Sequence, residues 1–298
     1  MFPLKYHEPV FRPPSEAHSF LLQVTIGCSN NKCTYCDMYR SKQYRERSFD
    51  EIKKDILDSY HYFKEIHYSP KRIFLCDGDA LGAKTELLVK VLELLNKLYP
   101  NLERVGIYAT AQNMLEKSDK ELALLFKLKL SMVYLGLESG SDEVLHRIVK
   151  GNKAHEMITG SKKIMNSGMK LSVIAMLGIG GEKYSETHIV ETAKVLSEIS
   201  PHYLSFLTTM AIKGTPFYRM VERGTLKELT SRKMFYEMRE ILDRIQANKN
   251  IVFRANHISN QYPLGGTLPE DQGQLVKTIE AWMLETPVDV YPPKPSTM

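Results

Sequence analysis

Short apolar, β-rich runs alternate with longer amphipathic stretches through the first two thirds of the chain. The runs predict strands over residues 20–26, 72–76, 104–109, 132–137, 170–176 and 203–207. Between them the 3.6-residue period predicts helices near 48–66, 83–98, 118–129, 153–167 and 184–199. The first helix opens with Ser48 and, three residues on, Glu51, the pattern of a reciprocal cap. Ile52, Ile56, Tyr60 and Phe63 then follow at helical spacing, so one face is apolar. Gly168 stands where the fourth helix must stop before a new strand.

Strand–helix alternation implies parallel strands joined by right-handed crossovers. Six such strands without a break predict an α/β fold, a partial (β/α)6 TIM-like barrel with chemistry at the carboxyl ends of its strands. The pattern changes after residue 208. GTPFY at 214–218 reads as a turn into a short helix, and a long helix follows over about 230–247. An irregular segment, FRANHISNQYPLGGTLPED, leads to a helix near 269–285 that carries Trp282. The expected organisation is an N-terminal extension (1–19), a core barrel (20–208) and a C-terminal helical extension (209–298) packed on the barrel. Its Pro-rich end, TPVDVYPPKPSTM, is expected to be poorly ordered.

Composition narrows the class. The chain of 298 residues is 43% hydrophobic, ample for a core, and its 40 basic and 35 acidic residues give a diffuse +5. Without a dense basic stripe, nothing here points to nucleic acid. The first twenty residues lack the apolar core of a signal peptide, and no stretch is apolar enough to span a membrane. The expected setting is the cytoplasm, where thiols stay reduced.

Those thiols are the most informative feature. Cys28, Cys33 and Cys36, in CSNNKCTYC, are three of the four cysteines, and they start immediately after the first predicted strand. Three thiolates can hold three irons of a 4Fe-4S cluster and leave the fourth iron open to a small molecule. A structural zinc site stays open as an alternative; it would need a distant fourth ligand, because no histidine lies between Gly27 and Tyr60. Cys76 lies in the apolar run IFLC and reads as buried and inert, so no second four-cysteine cluster can form.

The other predicted strands also end in polar or glycine-rich sequence: CDGDAL, YATAQN, GLESGSDEVL, LGIGGE and LTTM. Each alone is weak. GIGGEK lacks the last glycine of a dinucleotide loop, GLESG lacks the centred serine of a nucleophile elbow, and DGD is also a common turn. Their order behind a cysteine triplet is far more specific.

The chain resembles the radical S-adenosylmethionine (SAM) superfamily. Within it, the resemblance is to the branch of the oxygen-independent coproporphyrinogen oxidases, the methylthiotransferases and the Elongator catalytic subunits. CSNNKCTYC, FLCDGDAL, YLGLESGSDEVL and AMLGIGGE carry the likeness over roughly 20–208. RPPSEA (12–17) and FRANHISN (253–260) resemble a stand-alone Fe-S oxidoreductase subgroup. One departure is the spacing: four residues, not the superfamily's usual three, separate Cys28 from Cys33, which widens the loop without changing the ligand count.

The resemblance implies that Cys28, Cys33 and Cys36 ligate one 4Fe-4S cluster and that Tyr35 lies beside the adenine of SAM. Asp77, Gly78 and Asp79 stand in place of the family's Gly-Gly-Glu motif and would hold the methionine ammonium by carboxylate or backbone carbonyl. Glu138, with Ser139 beside it, would bind the ribose or the amino-acid end of SAM. The strand from Ala175 to Gly178 would contact adenine. The implied chemistry is reductive cleavage of SAM to methionine and a 5′-deoxyadenosyl radical that takes hydrogen from a small or medium substrate. It needs a flavodoxin- or ferredoxin-type electron donor. One spare thiol disfavours the members with auxiliary clusters, and the length disfavours added cobalamin or acetyltransferase domains.

Arg254 and His257, with Asn256 and Asn260, are candidates for the SAM carboxylate or the substrate; they read equally as groups satisfying backbone in an irregular loop. Tyr108 and Gln112 are further substrate-facing candidates, while Met176 and Met210 read as core. Two rival functions stand beside it: a non-catalytic cluster or haem carrier of the same fold, with His257 as its one candidate haem ligand, and a zinc-stabilised α/β binding module.

Overall fold

The computed structural model describes residues 3–292. The described residues form two compact units, and their division in the sequence falls inside the cysteine loop: residues 3–31, 38–135 and 159–171 make the first, and 32–37, 136–158 and 172–292 the second.

In the first unit β1 (Phe20–Gln23), β4 (Arg72–Cys76), β5 (Arg104–Ala109) and β6 (Leu130–Glu138, whose last three residues belong to the second unit) are parallel neighbours. The ladder runs from Phe20 opposite Ile73 to Gln23 opposite Cys76, and on through Ile107 opposite Val133. The single strand expected over 20–26 is broken at Val24. Val24 donates to Cys76 O (3.1 Å) as the last rung, and its own carbonyl accepts from Arg47 N. Beyond it, β2 (Thr25–Ile26) pairs antiparallel with β3 (Arg45–Glu46), which carries the cysteine loop off the end of the sheet.

Helices α1 (Phe49–Glu65) and α2 (Thr85–Leu98) bury Ile52, Ile56, Phe63, Leu88, Val91 and Leu95. The Ser48–Glu51 cap forms in both directions, at 3.3 and 2.8 Å. Short α3 (Ala111–Glu116) follows β5 directly, and α4 (Asp119–Lys127) precedes β6. The N-terminal RPPSEA segment has a structural role here. Glu16 is fully buried and accepts from Arg104 (2.7 Å) and from the hydroxyls of Tyr134 and Ser19.

The second unit holds the tip of β6, α5 (Asp142–Arg147), most of β7 (Lys170–Leu177), α7 (Gly181–Ile199) and β8 (Tyr203–Thr208). Helix α6 (Ala154–Asn166) begins in the second unit's segment and ends in the first's, before Gly168, which takes a φ of +95° as its place after the helix requires. Further on come α8 (Pro216–Glu222), α9 (Ser231–Arg244), β9 (Ile251–Ala255), β10 (Leu264–Leu268) and α10 (Gln272–Glu285).

Strands β7, β8 and β9 are parallel, and β10 closes antiparallel on β9. Two of these strands differ from expectation: FRANHISN and the GG-containing run were read as irregular, yet they contribute β9 and β10. Gly265 and Gly266 suppress the strand signal of β10. Trp282 of α10 packs on Phe235 of α9 and on Tyr262, with ring centroids 5.6 and 5.1 Å away. The Pro-rich end is tied down as far as it is described: Ser231 N donates to Val290 O (2.7 Å), while residues 293–298 lie outside the described part. Among the described residues no helix is long and apolar enough to cross a membrane.

Candidate functional site

The cysteine loop is anchored in the first unit by the DGD turn after β4. The Asp77 carboxylate is completely buried and accepts from Gly27 N (2.8 Å) and Gln23 Nε2 (3.2 Å). It also pairs with the Lys42 ammonium at 2.7 Å, where both side chains are shielded from water. Asp79 accepts from Ser29 N (3.1 Å) and from the Ser29 hydroxyl. Gly78 N donates to Gly27 O (3.1 Å). A Cβ on Gly78 would lie 2.7 Å from Cys28 Cβ and 2.9 Å from the Tyr39 ring, so glycine is what lets the turn close on the first cysteine. Both aspartate carboxylates are thus committed to shaping the backbone around Gly27–Ser29. Lys42, which no motif marked, is the counter-charge of Asp77.

In the second unit, residues 32–37 are held by Thr34, whose N–H donates to Ile148 O (2.8 Å) and whose carbonyl accepts from Phe217 N (3.0 Å). Cys33 and Cys36 flank it. Burial, then the neighbouring Glu138 carboxylate, pushes the Tyr35 hydroxyl well above its usual range, and that hydroxyl is bonded to Glu138. Glu138 ends β6 with a positive φ of 63° and pairs with Lys150 at 2.9 Å. Gly136, two residues earlier on the same strand face, leaves the room: a Cβ there would fall 2.2 Å from Glu138 Oε1 and 2.9 Å from Lys150 Nζ.

Ser139 turns inward. Its hydroxyl lies 2.8 Å from Nδ1 of His188, a fully buried residue of α7. Ala175 is buried in β7, and Gly178 follows that strand with a φ of +76°. A Cβ on Gly178 would strike Met234 of α9 at 2.2 Å, and its N–H donates to Glu237 of α9 at 2.6 Å. Burial pushes Glu237 up to about 7 and His188 down to about 4. Neither was singled out by sequence reasoning; each is one polar residue inside an otherwise ordinary amphipathic helix.

The remaining candidates sit elsewhere. Arg254 lies exposed on β9 and donates to the carbonyls of Phe253 (2.6 Å) and Gly266 (3.2 Å). His257 Nδ1 lies 2.8 Å from the Ser259 hydroxyl, which accepts from Thr208 N (3.1 Å). Asn260 joins the end of β8 through Thr208 Oγ1 (3.0 Å) and Phe206 O (2.7 Å). In the arrangement seen, this cluster stitches its loop to β8. Tyr108 packs edge-on against Phe74, and Gln112 bonds Glu116 on an exposed helix face. Met176 is half-buried, and Met210 lines a 180 Å³ cavity with Thr209, Met234 and Tyr291.

None of the four cysteines is in a disulfide; Cys28, Cys33 and Cys36 are half-buried and Cys76 is buried. Among the described residues no three His, Cys, Asp or Glu side chains gather as a single-ion site. Three accessible soft thiols are the donor set that iron–sulfur clusters take.

These features define an α/β protein whose strand ends carry clusters of polar residues. Residues 22–193, more than half of the chain, match the Radical SAM superfamily, and the chain belongs to it. Its cofactors are accordingly a 4Fe-4S cluster and SAM. The chain is similar to the heme chaperone HemW of Bacillus subtilis, 23% identical over 70% of this chain and 55% of that protein. It is also similar to the tRNA uridine(34) acetyltransferase of Methanocaldococcus infernus, 24% identical over 76% of this chain and 42% of that one. The chain therefore spans about half the length of these relatives. Among solved structures, the archaeal Elp3 of M. infernus superposes with a TM-score of 0.54 at 15% identity, covering 91% of this chain and 64% of that one. The fold and branch agree with the resemblance read from the sequence.

Proposed function

We propose that this protein is a catalytic radical SAM enzyme acting on a small or medium substrate in the cytoplasm, with electrons from a flavodoxin- or ferredoxin-type donor. The observation that carries the reading is the paired set of strand-end polar clusters: Asp77–Asp79 around Cys28, and Glu138 with Lys150 and Tyr35 beside Cys33 and Cys36.

Cys28, Cys33 and Cys36 would hold the cluster. A cluster held there would supply the electron for reductive cleavage of SAM's sulfonium carbon–sulfur bond, which would yield methionine and a radical able to take hydrogen from substrate. The chain's own residues do the positioning. Lys42 neutralises Asp77, so the methionine ammonium is left the backbone carbonyls of residues 77–79. Glu138, fixed between Lys150 and Tyr35, accepts hydroxyls from the ribose or the ammonium end. Ala175 to Gly178 offers apolar packing and backbone groups to adenine. The cavity beside Met234, which itself packs on Gly178, is a seat for a small substrate.

The test is turnover. Anaerobically reconstituted protein, reduced with dithionite, is expected to convert SAM to 5′-deoxyadenosine, read by chromatography. Protein that carries about four irons, as one cubane requires, and leaves SAM intact contradicts the catalytic reading. Haem bound to such inactive protein would instead support a carrier, the activity named for the HemW relative.

A further inference from the structure

Two of the strand ends assigned above to SAM are each held by a buried polar group of a neighbouring helix, His188 of α7 and Glu237 of α9, and all of these residues lie in the second unit. Ser139, next to Glu138, accepts from Ser141 N (3.1 Å), and Thr192 Oγ1 accepts from Gly140 N (2.8 Å). Both hydroxyls lie against His188 Nδ1, at 2.8 and 3.2 Å. Since each oxygen already accepts a backbone N–H, its own hydrogen is free to point at Nδ1. That assigns the imidazole proton to Nε2.

Among the described residues Nε2 has no hydrogen-bond partner, and it faces Glu237 Oε2 at 3.9 Å. Glu237 is fully buried and in turn accepts from Gly178 N (2.6 Å) and the Ser185 hydroxyl (2.8 Å). A carboxylate with no exposed surface and no cation paired with it is costly to keep in a protein core. Gly178, where its bond ends, has no side chain with which to fix itself, and its positive φ makes the turn depend on what holds its N–H.

We propose that Glu237 and His188 are positioning residues for SAM: Glu237 fixes the Gly178 turn after β7, and His188 fixes the Ser139 turn after β6. This rests on the reading of Glu138–Ser139 and Gly178 as SAM contacts. The ionised carboxylate holds Gly178 N and Ser185 more tightly than the acid, because charge-assisted bonds are the stronger ones. The charged or titratable groups that bear on Glu237 among the described residues are His188 and Glu186, both on α7. Protonation of Glu237 removes the charge from the oxygen that Gly178 N–H needs. SAM binding is therefore expected to weaken as pH falls through the range in which Glu237 gains its proton.

The test uses cluster-loaded protein under anaerobic conditions, with SAM affinity measured by equilibrium dialysis at about pH 6 and about pH 8, either side of the raised Glu237 value. Wild type is expected to bind about threefold or more tightly at the higher pH. Glu237→Gln should bind at the weak level at both pH values. His188→Leu, which strands two buried hydroxyls, should bind about tenfold more weakly, roughly the effect of one lost buried hydrogen bond. His188→Asn, whose amide oxygen can take over from Nδ1, should restore affinity to within about twofold, a rescue that a mere volume effect would not give. Iron content and thermal melts check that each variant is folded; should His188→Leu not fold, the Glu237→Gln profile alone decides. A Glu237→Gln protein with the wild-type affinity and pH profile overturns the inference and leaves the proposed function standing. Cluster-loaded wild type that binds no SAM at either pH overturns both.

Discussion

Replacing Lys42 with methionine will destabilise the protein by about 3–5 kcal/mol, the cost of stranding a buried carboxylate. Asp77 and Lys42 are 0% and 5% exposed, so neither charge has water to fall back on. The loss will not stay local. Asp77 Oδ2 accepts both the Lys42 ammonium and Gly27 N, and Gly27 precedes the first cysteine. An unpaired Asp77 would draw in water, and the backbone that aims Cys28 would loosen with it. Cluster loading is therefore expected to fall along with stability. The compensating change Asp77→Asn in the same chain removes the stranded charge and keeps an oxygen for Gly27 N, so the double variant should recover more than half of the loss. Urea denaturation of the two variants measures this. A cost below about 1 kcal/mol for Lys42→Met, the range of exposed pairs, would show that the pair contributes nothing special.

The second large effect is expected at Gly136. Alanine there places a methyl 2.2 Å from Glu138 Oε1 and 2.9 Å from Lys150 Nζ. Overlap of that depth is resolved by moving the ends of both side chains, because the strand backbone is fixed by its neighbours. The stability cost should be about 1–3 kcal/mol, typical of overpacking. The functional cost should be larger, since the displaced carboxylate is the one assigned to SAM. SAM affinity is expected to drop about tenfold or more, equivalent to about 1.4 kcal/mol. Dialysis against labelled SAM reads it. Unchanged affinity in a folded Gly136→Ala protein would remove Glu138 from the binding site.

Both sites show where sequence reading works and where it stops. Strands such as RIFLC and RVGIYA were legible with the observed bounds, because a continuous apolar run has few other fates. The Ser48–Glu51 cap and the stop at Gly168 were legible because they are local chemistry. The cysteine triplet and the strand-end motifs stood out because several weak signals fell in one order. Lys42, Lys150, His188 and Glu237 did not stand out. Each has a partner between 12 and 59 residues away, and a single lysine or glutamate in a polar stretch looks the same whether it pairs in the core or points to water. One cue was available for Glu237: it falls among Met234, Phe235, Met238 and Ile241, on the buried side of its helix. The kink at Val24 is likewise tertiary, because β3 captures residues 25 and 26, and nothing in VTI announces it.

The functional reading depends on one property above the others: three thiols hold a cubane and leave an iron for SAM. Electron paramagnetic resonance of the reduced, reconstituted protein tests this directly. Added SAM should change the g-values of the cluster signal, and the protein in which Cys28, Cys33 and Cys36 are all alanine should give no cluster signal. A wild-type spectrum identical with and without SAM, or a cluster retained in the triple variant, would contradict the account.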